Sequence, residues 1–227
     1  MHGRNLKTRM AVCVAGATAV TMTLTGAAPA LAAPEPAAPQ SAPRTAAVAE
    51  AEPRGEGHDG SADVDYDTWQ RDVTAVTDTA RPYLEQRISQ GGGEKMAIVL
   101  DIDNTSLETD FHPLWELPTP AMEQTLGLAK YAKSRGVAVY FVTARPGIIY
   151  SLTEWNLDEA GFPVDGLYVR DLPDLFDEVS KYKTAKRAEI ESKGYTIIAN
   201  IGNSPTDIVG GHAEKTFKLP DYDGDLS

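Results

Sequence analysis

The stretch at residues 95–106 constrains the fold more than any other part of the chain. Five apolar residues, 96–100, run directly into Asp101 and Asp103, and Thr105 follows. A short apolar run rich in Ile and Val predicts a strand that is buried on both faces of a parallel sheet. Ligands of such sheets bind beyond the carboxyl ends of the strands, so we expect Asp101 at a functional site. A carboxylate there can act as a nucleophile, and surrounding oxygen atoms suit Mg²⁺.

This stretch has two other interpretations. The acidic pair is also compatible with a solvated turn or a helix cap. A calcium-binding loop would place Asp101, Asp103 and Thr105 at its positions one, three and five, but it needs Gly at six and Glu at twelve. The chain has Ser106 and His112 at those positions, so we exclude the calcium loop. The rest of the chain decides between chemistry and a structural role.

The first 32 residues have the pattern of a secretory signal. A basic start precedes an apolar run over residues 10–30, and Ala-Leu-Ala at 30–32 is a small-x-small cleavage pattern. A membrane anchor is the alternative, but the Thr and Gly content and the lack of a following basic stop favour cleavage. We therefore expect a secreted protein without a stable membrane anchor, which has lost Cys13, its only cysteine.

The charge of the chain limits its partners. The formal net charge is −12, and removal of a signal with three basic and no acidic residues leaves −15. Such acidity argues against nucleic acid or an anionic membrane as the main partner. It does not argue against a phosphate ester, because a metal and local basic groups reverse the field inside a cleft.

The rest of the chain divides into a tether and one domain. Residues 33–62 are rich in Ala, Pro, Glu and Gly and predict a disordered tether. Residues 63–227 alternate between helical and strand patterns, which predicts an α/β fold with a doubly wound, mostly parallel sheet. The predicted strands lie at 96–100, 137–142, 167–169, 196–201 and 216–219, and the predicted helices at 67–89, 119–134, 148–160 and 178–193. We expect Pro82 to interrupt the first helix, and Thr119 and Pro120 to begin the second.

Polar groups follow three of these strands. They are Asp101, Asp103 and Thr105 after the first, Thr143 and Arg145 after the second, and Asn203 and Asp207 after the fourth, with Lys183 on the helix before the fourth. In a doubly wound sheet these strand ends lie side by side, so we expect the distant positions to meet in one crevice.

These residues resemble the motifs of the haloacid-dehalogenase-like (HAD) superfamily of phosphohydrolases. The likeness is strongest to its secreted class B-type acid phosphatases and to plant vegetative storage proteins. The matching segments are Ile-Val-Leu-Asp-Ile-Asp-Asn-Thr at 98–105, Phe-Val-Thr-Ala-Arg at 141–145, Tyr-Lys-Thr at 182–184 with Arg187, Gly-Tyr-Thr-Ile-Ile at 194–198, Gly-Asn at 202–203 with Asp207, and Phe-Lys-Leu-Pro at 217–220. The resemblance implies a Rossmann-like HAD fold and a phosphomonoesterase of the acid phosphatase type.

The resemblance also implies a role for each matching residue. Asp101 would be the nucleophile that forms an aspartyl-phosphate, and Asp103 the general acid and base. Thr143 and the backbone N–H of Ala144 would bind the phosphoryl group, and Lys183 would pair with both Asp101 and the phosphate.

A Mg²⁺ ion is the implied cofactor. Its ligands would be Asp101, the backbone carbonyl of Asp103, Asn203 and Asp207. The chain has Gly-Asn at 202–203 where the family usually has Gly-Asp, so we expect weaker metal binding. The alternative function is therefore a catalytically weak or inactive storage or binding protein on the same fold.

Several of these residues have structural alternatives. Thr143 could only cap a helix, and Lys183 could belong to a solvated helix face with Lys181 and Lys186, in which case Lys186 would replace it at the site. Arg145 is expected in a structural or rim position. Phe111 and Trp115 are equally suited to packing and to substrate contact. The loops at 107–120 and 171–177 are too short for a cap domain, which implies an open cleft and broad specificity for phosphomonoesters.

Overall fold

A computed structural model describes residues 64–113 and 115–226. The predicted signal at 1–32 and the predicted tether at 33–62 lie outside the described residues. Among the described helices, none is long and apolar enough to cross a membrane.

Helices and strands alternate along the described chain, as the sequence predicts. The helices are α1 (Tyr66–Ser89), α2 (Glu123–Ser134), α3 (Tyr150–Glu159), α4 (Val179–Ser192) and α5 (Pro205–Ile208), and the strands are β1 (Met96–Leu100), β2 (Ala138–Pro146), β3 (Gly166–Arg170), β4 (Thr196–Gly202) and β5 (Thr216–Lys218). Short 3₁₀ turns lie at Thr109–Phe111, Gly147–Ile149, Asp174–Phe176 and Tyr222–Gly224.

The five strands form one parallel sheet in the order β3-β2-β1-β4-β5. Leu100, the last residue of β1, is paired with Phe141 of β2 on one side and with Ile201 of β4 on the other. The carboxyl ends of β1, β2 and β4 therefore lie side by side. This arrangement confirms the predicted doubly wound α/β fold and brings three sets of polar residues to one edge.

Apolar side chains of β1 alternate between two cores, one on each face of the sheet. Ile98 and Leu100 belong to the larger core, which includes residues of α1, α2 and α3, whereas Ala97 and Val99 belong to the smaller core beside α4. Burial on both faces explains why this strand is apolar without alternation. The strand can then hold Asp101 at a fixed place at its end.

Three predicted boundaries are wrong, each for a physical reason. Helix α1 continues through Pro82, because its buried residues before and after the proline pack in the same core. Helix α2 begins at Glu123 rather than at 119, because the Pro120 carbonyl accepts the Glu108 N–H and the chain stays extended there. Strand β2 continues to Pro146, which pairs with Arg170 of β3.

Candidate active site

Asp101 occupies the first position after the central strand. Its N–H donates to the Ile201 carbonyl of β4 at 3.0 Å, and its own carbonyl accepts a hydrogen bond from Ser106 Oγ at 2.6 Å. The residue is only 6% exposed. The Ile201 carbonyl and the Ser106 hydroxyl both hold the backbone of Asp101, so its carboxylate has a defined position at the strand end.

Lys183 of α4 lies between two carboxylates. Its Nζ is 2.6 Å from Asp101 Oδ1, and it also donates to Asp207 Oδ1. The side chain is 4% exposed, whereas Lys186 pairs with Asp174 and Glu189 nearer the surface. The structure thus brings Lys183 rather than Lys186 to the predicted crevice.

Burial and charge shift the pKa values of Asp101 and Lys183. Burial raises the pKa of Asp101 to about 7, the charge of Asp207 adds to the rise, and Lys183 opposes it. Burial on its own lowers the pKa of Lys183, but Asp101 and Asp207 more than offset that effect, so its pKa is raised. Lys183 is therefore a buried cation facing two carboxylates.

Asp103 is held by Arg145, a contact that the sequence interpretation missed. Arg145 Nη2 donates to Asp103 Oδ1 at 2.7 Å and Nε donates to Oδ2 at 3.1 Å, while Thr109 Oγ1 donates to Oδ1 at 2.8 Å. Burial alone raises the pKa of the Asp103 carboxyl, but the hydrogen bonds and charge of Arg145, with the bond from Thr109, lower it overall. The sequence indicates that Arg145 lies at the end of the strand next to β1, but it does not indicate the pairing with Asp103.

Thr143 and Ala144 lie on the last part of β2. Thr143 is fully buried, and its Oγ1 accepts the Arg145 N–H at 3.2 Å, whereas Ala144 is exposed. Since Thr143 lies within a strand, the alternative that it caps a helix is wrong. Ala144 thus lies at the crevice, whereas the Thr143 hydroxyl is buried against the backbone of Arg145.

Asn203 and Asp207 follow β4 and are both buried. Asn203 Oδ1 accepts a hydrogen bond from Thr105 Oγ1 at 3.2 Å, and its Nδ2 donates to the Leu226 carbonyl. Asp207 Oδ2 accepts the Ser204 N–H at 2.8 Å in a capping box at the start of α5. These bonds fix both side chains from the protein side of the crevice.

Arg187 of α4 supports the segment at 207–211, which follows β4. It is almost completely buried, and its guanidinium donates to the carbonyls of Asp207 at 2.8 Å, Gly211 at 2.9 Å and Val209. The sequence placed Arg187 within a family motif but gave it no role. In the structure it holds the backbone of the loop that carries Asp207.

Five of the seven predicted site residues line a cleft of about 260 Å³, and Thr143 and Asp207 lie outside its lining. Its walls are Asp101, Asp103, Ala144, Val179, Lys183, Asn203, Ser204 and Thr206. Phe111 stacks on Trp69 with ring centroids 4.3 Å apart, so it packs on α1, whereas Trp115 is 85% exposed. No cap domain covers the cleft within the described residues, in agreement with the short loops of the sequence.

The oxygen atoms at this cleft are the candidate metal ligands. Within residues 64–113 and 115–226, no group of three or more His, Cys, Asp or Glu side chains is arranged to hold a metal ion. Two carboxylates, Asp101 and Asp207, share the single ammonium of Lys183, which leaves an excess of negative charge in a buried place. Such oxygen-rich, negatively charged surroundings suit a hard cation such as Mg²⁺.

The chain is similar in sequence to a known protein family and to two plant glycoproteins. A family model described as HAD superfamily, subfamily IIIB (Acid phosphatase), matches residues 28–113 and 116–225. The stem 28 kDa and stem 31 kDa glycoproteins of Glycine max are each 34% identical to the chain over 105 residues, which is 44% of this chain. The chain spans about two fifths of the length of these relatives, 41% and 36% respectively.

Two acid phosphatases are also similar. Acid phosphatase 1 of Solanum lycopersicum is 25% identical over 172 residues, 67% of each chain. The class C acid phosphatase from Bacillus anthracis superposes with a TM-score of 0.57 at 20% identity, covering 70% of this chain and 80% of that chain. At this identity the structural likeness shows the fold alone.

Proposed function

The chain belongs to the HAD superfamily, subfamily IIIB, the family of acid phosphatases, and from this premise we propose that it is a secreted, Mg²⁺-dependent phosphomonoesterase that works through an aspartyl-phosphate on Asp101. Family membership agrees with the resemblance seen in the motifs. Activity, metal, mechanism and location are the proposal.

One observation carries the proposal: the buried carboxylate of Asp101 lies at the end of the central strand, 2.6 Å from the Lys183 ammonium, and opens into the cleft. A nucleophile needs a fixed position, and a phosphoryl group needs positive charge close to it. Lys183 supplies that charge beside the nucleophile. The fold alone would not support this function, because one fold hosts many activities.

The proposed reaction has two steps. An Asp101 carboxylate oxygen attacks the phosphorus and the bond to the leaving oxygen breaks, while Asp103 in its protonated form gives that oxygen a proton. Because Arg145 lowers the pKa of Asp103, this form is favoured at acidic pH. Asp103 then takes a proton from water, whose oxygen attacks the aspartyl-phosphate and releases inorganic phosphate and free Asp101. The Thr143 hydroxyl, the Ala144 N–H and Lys183 hold the phosphoryl oxygens throughout.

The proposed ligands of Mg²⁺ are Asp101, the backbone carbonyl of Asp103, Asn203 and Asp207. All are oxygen donors, and the excess negative charge around Lys183 fits a dication. When bound, the ion supplies positive charge that neutralises the phosphoryl oxygens. Because Asn203 contributes an amide where the family usually has a carboxylate, we expect its affinity to be low.

The open cleft has a consequence for substrate specificity. Because the described residues include no cap over the cleft, its size does not select one leaving group, and we propose broad specificity for small or exposed phosphomonoesters. A preference of orders of magnitude in kcat/KM for a single ester would contradict this part of the proposal.

The second candidate is a storage or binding protein without useful catalysis. Asn203 favours it, because its side chain already bonds to Thr105 and Leu226. Similarity to the stem glycoproteins is compatible with either function, since it covers less than half of the chain.

The experiment is release of phosphate from p-nitrophenyl phosphate by residues 33–227, with Mg²⁺ and with a chelator. The matched control is Asp101→Asn, which keeps the size of the side chain but removes the nucleophile. Metal-dependent turnover that is lost in the variant supports the enzyme. Absence of turnover from a folded protein in every condition supports the binding protein.

Expression of the full chain in a secreting host tests secretion. Sequencing of the amino terminus of the protein in the medium tests the cleavage near residue 32.

A further inference from the structure

We propose that Arg145 is a positioning residue for Asp103, which orients the carboxylate so that Oδ2 is the oxygen that exchanges a proton with the leaving group. The inference rests on the proposed function, because it concerns the step that Asp103 performs there. It gives a specific role to Arg145, which the sequence predicts only in a structural or rim position.

The two oxygens of Asp103 have unequal surroundings. Oδ1 accepts hydrogen bonds from Arg145 Nη2 at 2.7 Å and from Thr109 Oγ1 at 2.8 Å, and it lies 3.2 Å from Arg145 Nε. Among the residues that the structure describes, Oδ2 accepts a hydrogen bond only from Arg145 Nε, at 3.1 Å. A carboxylate oxygen has two lone pairs, so Oδ1 is fully occupied and Oδ2 keeps capacity for a further partner.

The carboxylate is held from two separate elements. Arg145 lies on the extended end of β2, and Thr109 begins the 3₁₀ turn of the loop after β1. The Arg145 side chain is 16% exposed, which limits its freedom, and the fork of the guanidinium fixes the plane of the carboxylate. Displacement of a reacting group by about 1 Å can cost about 100-fold in rate, so this restraint matters for proton transfer.

The position of Arg145 favours action through Asp103 rather than on the substrate. Asp103 lines the cleft, and the Nε and Nη2 atoms of Arg145 both donate to its carboxylate. A residue that binds the phosphoryl group would contribute equally to every phosphomonoester. A residue that positions the proton donor contributes most when the leaving group is a poor one, because such a group needs the proton to depart.

The test compares two substrates that differ in the leaving group. Steady-state kinetics are measured with p-nitrophenyl phosphate, whose leaving group is good, and with glycerol 2-phosphate, whose leaving group is poor. Each protein is measured at its own pH optimum, because loss of Arg145 also raises the pKa of Asp103. For Arg145→Met we then expect kcat for the alkyl ester to fall about 10- to 100-fold, with p-nitrophenyl phosphate losing less than about 3-fold and KM little changed for both. Arg145→Lys, which keeps the charge but not the fork, should fall between wild type and Arg145→Met for the alkyl ester.

Two further variants make the test specific. In an Asp103→Asn background, Arg145→Met should add no further loss, since the group it positions is gone. Arg87→Met removes an arginine that pairs with Glu94 and Glu214 at the far end of α1, and it should leave the selectivity between the two esters unchanged.

Each outcome decides the matter. An equal loss for both esters, or a rise in KM alone, overturns the positioning role while the proposed function stands. A further loss in the Asp103→Asn background also overturns it. Turnover of neither ester by the wild-type protein overturns the proposed function and this inference together. If Arg145→Met does not fold, as judged by circular dichroism, the Arg145→Lys comparison carries the same test.

Discussion

The side-chain amide of Asn203 donates a hydrogen bond to the backbone carbonyl of Leu226, so the loop after β4 is connected to the segment at 221–226. Leu226 is 1% exposed and packs in the larger core, and its N–H donates to the Asp221 carbonyl at 3.0 Å. A carboxylate at position 203 could not donate to that carbonyl. The contact gives a physical reason for an amide where the family usually has aspartate.

Asn203→Asp should therefore destabilise the metal-free protein. The change removes the donor to the Leu226 carbonyl and places a carboxylate against it, at an expected cost of about 1–3 kcal/mol in the free energy of unfolding. A bound Mg²⁺ should recover part of that loss, because the new carboxylate is a stronger ligand. Urea unfolding with a chelator and with Mg²⁺ measures both effects.

Asn203→Ala is the matched control for this prediction. It removes the same hydrogen bond without adding a charge, so Mg²⁺ should not recover its stability. Equal stability of Asn203→Asp and wild type in the chelator would show that the contact with Leu226 does not matter.

Lys183→Met should destabilise the protein far more than Lys186→Met. Lys183 is the buried partner of both Asp101 and Asp207, and its loss leaves two carboxylates without a cation, at about 3–5 kcal/mol. Lys186 pairs with Asp174 and Glu189 near the surface, where such pairs contribute about 1 kcal/mol or less. Urea unfolding and phosphate release should both separate the two variants, and similar losses would contradict the role of Lys183.

The sequence predicted the convergence of Asp101, Lys183, Asn203 and Asp207 because the parallel sheet leaves little choice. A strand buried on both faces lies inside the sheet, and the ends of its neighbours then meet beside it. The order of strands and helices was enough for the residues at the strand ends, whereas the choice of Lys183 over Lys186 came from the likeness of Tyr-Lys-Thr at 182–184 to the family motif. The roles of these residues remain proposals, since convergence does not show chemistry.

The contacts that the sequence did not predict depend on distant segments. The fork from Arg145 to Asp103 requires β2 to continue to Pro146, and it does so because Pro146 pairs with Arg170 of β3. The bond from Asn203 to Leu226 requires a segment that returns from 23 residues away. Neither has a local pattern, because periodicity reports burial within an element and not pairing between elements.

The ionisation of Asp101 predicts how the metal-free protein responds to pH. Its pKa is about 7 in the fold against an ordinary value of 3.8, chiefly because of burial. The folded protein holds this proton more tightly than the unfolded chain, so the stabilising contribution is complete below about pH 4 and is lost as the pH rises through about 7.

Asp101→Asn removes that titration, so the difference in the free energy of unfolding between the variant and wild type should change with pH. Between about pH 4 and pH 7, the free energy of unfolding of the variant should rise relative to that of wild type. Urea unfolding at several pH values, with a chelator present, measures the difference. A difference that stays constant with pH would contradict the raised pKa.

Gly210→Ala should disturb the loop that carries Asp207 more than Gly211→Ala. Both glycines have positive φ, +89° and +74°, so alanine at either position costs about 1–2 kcal/mol in backbone strain. Only at Gly210 would the new Cβ also meet another group, Thr184 Oγ1 at 2.0 Å, whereas nothing lies within 4 Å at Gly211. The overlap must push the loop away from α4, and with it the carboxylate that pairs with Lys183. Gly210→Ala should therefore lower both the melting temperature and the rate of phosphate release, and Gly211→Ala mainly the melting temperature.

Adding Thr184→Ala to Gly210→Ala makes room for the Cβ, so the double variant should lose less than the sum of the two single losses. Simple additivity would show that backbone strain, and not the contact with Thr184, sets the cost at Gly210.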